Sequence, residues 1–187
     1  MIEDLIELLR RLAGRMPDED LRKMRHLLGF REIDTLLRLL PSRLMDLHVG
    51  LTKAEFELLV KIGFVQSIWA VGDLLDTGFL PEYGFRAMAE WCPEDDELLT
   101  AAVAAPSLLR VLKTQRNRAS AFSSCPSATV YVAVLAKGAD VARHQAQLQR
   151  NSGSALVEAM LEGEWLPPYQ AAALATGTQI WSRGVTV

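Results

Sequence analysis

Two cysteines each stand directly before a proline, as Cys92-Pro93 and Cys125-Pro126. A cysteine at a helix N-cap faces the positive end of the helix dipole, which favours thiolate and so nucleophilic or redox chemistry. Glu94, Asp95, Asp96 and Glu97 follow Cys92 and their charge opposes a thiolate there. Cys125 lies in a small polar run over 120–127 without that opposition, which makes it the better nucleophile candidate. The four carboxylates themselves are close enough to push each other's pKa apart and serve as acid and base. Their simpler role is to meet the unpaired amides of a first helical turn.

Metal and cofactor chemistry find little footing. His26, His48 and His144 lack a second histidine or cysteine at the three- or four-residue spacing by which a helix or turn presents two ligands. Gly72, Gly78 and Gly84 are evenly spaced, but no glycine-rich phosphate loop or nucleophile elbow surrounds them. No metal and no cofactor are expected, and no catalytic residue is assigned.

Arg110, Lys113, Arg116 and Arg118 are the best nucleic-acid candidates, because their spacing places several cations on neighbouring turns of a helix. Cations also belong at a helix C-terminus, where they complement exposed carbonyls. Charge is uneven along the chain. Residues 46–105 hold 3 basic and 11 acidic groups, whereas 106–187 hold 8 basic and 4 acidic, and the whole carries −3. An excess of four cations over that last stretch is weak for a phosphate backbone.

Aromatic residues offer a third kind of site. Trp69, Phe79, Tyr83, Phe85, Trp91 and Trp165 are candidates for a partner-binding surface, four of them between 79 and 91 beside turns at Gly78 and Gly84. Each such residue is more often part of a core than of an interface.

The elements that must position these groups read as helices. Ile2, Leu5, Ile6, Leu9 and Leu12 share one helical face, and Gly14 ends it. Pro17 and the acids 18–20 open a second helix that Gly29 stops. A third runs from Arg31 and halts at Pro41, which lacks an amide hydrogen. Thr52 and Glu55 have capping-box spacing and start a fourth, which runs toward Leu75 with a bend near Gly63. Further helices are expected over 83–91 and 94–105, from Ser107 through the basic residues to 118, and over 128–135, 140–150, 154–161 and 169–175. The segment 179–187 is expected to be extended. The β-branched cluster Val130, Val132 and Val134 fits a buried strand as well as a buried helix, and helix is preferred.

The expected fold is therefore mainly α, a multi-helix orthogonal bundle with a short extended C-terminal segment. Residues 1–115 would form an N-terminal helical bundle and 128–187 a smaller helical subdomain packed on it, or the two would make one compact unit. Two cysteines cannot form a disulfide framework, the start is acidic where a secretion signal is basic, and no apolar run reaches about 20 residues, so a cytoplasmic, membrane-free protein is expected. The expected function is protein–protein interaction or regulation through the aromatic surface, with a protein partner or a second copy. The first alternative is a nucleic-acid-associated regulator using 110–118. The second is an enzyme without a local motif, thiol-dependent through Cys125.

Overall fold

The computed structural model describes residues 1–64, 84–117 and 127–184. Four helices come first: α1 (Ile2–Arg11), α2 (Asp18–Gly29), α3 (Ile33–Asp46) and α4 (Lys53–Ile62). They bury Leu5, Leu9 and Leu12, whose spacing marked them, and with them Leu8, Leu21, Leu36, Leu40 and Leu59. At about 1.5–3 kcal/mol for each fully buried side chain, this face is the main source of their stability. The capping box forms: Thr52 Oγ1 accepts from Glu55 N at 3.4 Å, and Glu55 Oε2 from Thr52 N at 2.8 Å. Gly63 ends α4 at φ 100°, a left-handed value that glycine tolerates without cost. The expected continuation of α4 beyond 64 lies outside the described residues. Pro41 does not stop α3, which continues to Asp46. The amide bond it forfeits is offset by burying Pro41 and Leu44 in the core.

From residue 84 the expectation of a helical bundle is overturned. The chain builds a five-stranded mixed sheet from β1 (Gly84–Ala87), β2 (Leu108–Asn117), β3 (Ala128–Leu135), β4 (Leu156–Leu161) and β5 (Thr178–Ser182). Interleaved are α5 (Pro93–Val103), α6 (Val141–Gln149) and α7 (Pro168–Thr176). The fold is mixed α/β, not all-α, and the segments expected as helices at 107–118, 128–135 and 154–161 are strands. Of the segment 83–91, Gly84–Ala87 is strand β1 and 88–91 have no regular structure. The physical reason is burial on both faces. β3 is buried from Val130 to Leu135, and β4 from Leu156 to Met160. They pair in parallel across α6, and such strands read as unbroken apolar runs with no alternation to betray them.

β2 is the hub. It pairs antiparallel with β3 on one side, and on the other with β5 along Arg110–Lys113 and with β1 along Thr114–Asn117. The sheet thus joins residues on both sides of the segment 118–126. One face carries Val111, Tyr131, Ala133, Val157 and Ala159 against α5 and α6. The other carries Leu112, Val132, Val134 and Met160 against Ala173 of α7.

The free edge of β4 is closed by side chains. Arg10 donates to Ala159 O at 2.9 Å, Arg25 and Gln145 to Val157 O at 3.2 and 2.8 Å, and Gln149 to Ala155 O at 2.7 Å. Val157 N donates to Gln149 Oε1 at 2.9 Å. Helices α1, α2 and α6 therefore cover an edge that would otherwise template pairing with another chain.

Candidate functional site

Lys113 and Tyr131 face each other across the β2–β3 ladder, so both side chains rise from the same face of the sheet. The start of α5 is set down on that pair. Cys92 is its N-cap, Pro93 fits the first turn because its missing amide is no loss there, and Asp95 Oδ2 accepts from Cys92 N at 2.7 Å. This return bond turns the Asp95 carboxylate inward.

The result is a closed polar cluster. Lys113 Nζ donates to Asp95 Oδ2 at 2.7 Å and to Glu90 O at 2.6 Å, and lies 3.2 Å from Cys92 Sγ. An ammonium has three protons, and here each has an acceptor. Tyr131 OH donates to the other Asp95 oxygen at 2.6 Å and stands 3.6 Å from Cys92 Sγ. Lys113, Asp95 and Tyr131 are completely buried, whereas Cys92 is half-buried and Trp91 beside it is exposed. Of the four residues, only Cys92 is not completely buried.

Burial works against both charges, but the bonds within the cluster outweigh it. Desolvation raises the Asp95 pKa, yet hydrogen bonds from Lys113, Tyr131 and Cys92 N hold it below its ordinary value. Desolvation likewise lowers that of Lys113, and Asp95 with Cys92 brings it above the ordinary lysine range. Burial first and Asp95 second push the Tyr131 phenol upward. The resting cluster is carboxylate, ammonium and phenol beside a sulfur.

The residues singled out by sequence are dispersed. Lys113 belongs to this cluster, and Arg116 is buried with both its terminal nitrogens on Asp18, at 2.9 and 2.7 Å. Arg110 is half-buried, and Arg118 lies outside the described residues. Two of the four proposed phosphate-binding cations are thus engaged inside the protein. Of the aromatics, Phe85 packs edge-on to the buried Tyr169 at 5.1 Å. Trp91 and Trp165 are 56% and 67% exposed. Trp69, Phe79 and Tyr83 lie outside the described residues, as does Cys125. Among the described residues no group of three histidine, cysteine or carboxylate side chains is placed to hold a metal, and no helix is long and apolar enough to cross a membrane.

Sequence reasoning set Cys92 aside because four acids follow it. It did not find the lysine, which comes from 21 residues away on a strand. The available signal was Lys113 itself, a charge directly after Val111 and Leu112 that would need a buried partner if the segment were a strand covered on both faces.

A second feature lies at the carboxyl ends of the two parallel strands. An open groove of about 520 Å³ is lined by the turn after β3, Gly138 to Asp140, by Glu164 after β4, and by Glu3, Glu7 and Arg10 of α1. Trp165 adjoins it, 5.6 Å above the guanidinium of Arg11, which in turn pairs with Glu7 at 2.7 Å.

No family model matches the chain, and no curated protein or solved structure matches it either.

Proposed function

We propose that the protein is an interaction module that docks a protein partner, or a second copy of itself, at the groove beside Trp165. The observation that carries this reading is the 67% exposure of Trp165. Tryptophan is on average strongly buried and is enriched among the residues that dominate binding energy at interfaces. Its position supports the reading further. Open α/β sheets bind ligands beyond the carboxyl ends of their strands, and that is where the groove lies. Arg11 beneath the indole and the Glu7 that holds it give the anchor a fixed base, which lowers the entropy lost on docking.

The test places a photo-reactive residue at the exposed Glu162, in the same loop, and a second at the exposed Val103 on α5 as a control. Cross-linked adducts or homodimers are expected from position 162 and not from 103, and Trp165→Ala should remove them without loss of helicity. Equal labelling at both positions, or a protein that stays monomeric and free of adducts, overturns the proposal.

A further inference from the structure

The cluster at the start of α5 places a reachable sulfur against an enclosed amine. Cys92 Sγ and Lys113 Nζ are 3.2 Å apart, with Cys92 a half-buried residue and Lys113 a completely buried one. A small oxidant therefore meets the sulfur first. Once oxidised, that sulfur faces a nitrogen already in contact with it, among side chains that are completely buried. Sulfenic acids condense with nearby thiols, and with nitrogen to give a sulfenamide.

We propose that Cys92 is an oxidation site for hydroperoxides, and that Lys113 captures the oxidised sulfur as a covalent S–N cross-link. In the first step the sulfur attacks one oxygen of the peroxide, so that an S–O bond forms as the O–O bond breaks. The thiol proton leaves with the other oxygen as alcohol, or as water for hydrogen peroxide. Sulfur is oxidised by two electrons and the peroxide is reduced by the same two.

In the second step Lys113 gives a proton to Asp95 Oδ2, 2.7 Å away, and its freed lone pair attacks sulfur. The S–N bond forms, the S–O bond breaks, and the hydroxide leaves as water with the second nitrogen proton. Tyr131 OH, 3.6 Å from the sulfur, stands where it can hydrogen-bond the departing oxygen. Thiol, ammonium and one hydroperoxide thus give sulfenamide, alcohol, water and one proton, which passes from Asp95 to solvent.

The cross-link has a mechanical consequence. Closing onto sulfur draws Nζ from Glu90 O and removes the positive charge opposite Asp95. The start of α5, with the exposed Trp91 just before it, loses its main anchor on the sheet.

The experiment uses the full chain carrying Cys125→Ser, so that no disulfide between the two cysteines can imitate the product. Titration with hydrogen peroxide should lower the intact mass by two hydrogens and yield a proteolytic fragment joining Cys92 to Lys113, and dithiothreitol should restore the starting mass. Lys113→Gln should stop the reaction at a sulfenic acid that dimedone traps, and Cys92→Ser should abolish the mass change. If the Cys125→Ser chain only gains oxygen, or stays unmodified where free cysteine is fully oxidised, the proposal is overturned. That measurement decides even if Lys113→Gln does not fold.

Discussion

Lys113 shows how one side chain changes meaning with its surroundings. A lysine among other cations looks like a surface charge, yet this one is completely buried and each of its protons is taken up. Removing one partner of a buried ion pair strands the other charge, which costs about 3–5 kcal/mol. Lys113→Met should therefore lower stability by roughly that amount near neutral pH, since Asp95 would be left without its counter-ion. The pH dependence follows from the direction of each shift. The Asp95 pKa is lowered from 3.8, so its contribution is complete above that value and is lost as pH falls through the lower folded pKa. The Lys113 pKa is raised from 10.5, so its contribution is complete below that value and is lost as pH rises through the higher folded one. Urea midpoints of wild type and Lys113→Met should differ by a constant amount across the window between, and converge in strong acid and strong alkali. A difference that ignores pH would mean that packing of the lysine stem, and not its charge, is what the substitution removes.

Among the elements, the crossing of α2 over α6 has the least tolerance. A β-carbon on Gly29 would stand 2.4 Å from that of Ala146 and 2.7 Å from Ala142 O, contacts that neither backbone can relieve without moving. Glycine here admits the close approach of two helices. Alanine is ordinarily the better helix former by about 1 kcal/mol. Gly29→Ala should nevertheless destabilise the protein by about 1–3 kcal/mol, the usual cost of overpacking. Thermal unfolding checks it, and a stabilised variant would show that the two helices can move apart freely. The same scale shows where periodicity sufficed. Helices α1 to α4 each keep exposed polar positions, such as Glu3, Glu19, Arg38 and Glu57, so their leucines repeat at three and four residues and the pattern declares them. β3 and β4 are covered on both faces, so their side chains are uniformly apolar and period two leaves no trace.

For the whole molecule, the helices of the first 64 residues are fastened to the sheet by buried polar contacts as well as by apolar ones. Arg25 of α2 grips Glu158 of β4 through two bonds of 2.8 Å, and Gln170 of α7 adds a third at 2.9 Å. Arg116 of β2 does the same with Asp18 at the start of α2. A guanidinium–carboxylate fork fixes direction as well as distance, so it sets the register in which helices and sheet meet. Arg25→Met alone should cost about 3–5 kcal/mol because it strands Glu158. Arg25→Met with Glu158→Gln should recover a large part of that loss, a coupling that a double-mutant cycle in urea reads directly. Strict additivity of the two substitutions would show that the pair contributes nothing to docking.

By itself the amino-acid sequence determined whatever depends on neighbours along the chain: the amphipathic helices of the first 64 residues, the capping box at Thr52 and Glu55, and the acidic first turn after Cys92-Pro93. These rest on interactions within about one helical turn, and such interactions are written in spacing. Only the tertiary structure decided that residues 108–117, 128–135 and 156–161 are strands, and that Cys92, Asp95, Lys113 and Tyr131 meet. A strand's partner and a buried charge's counter-ion lie at separations the chain does not mark, and burial on both faces erases the alternation that would have announced them.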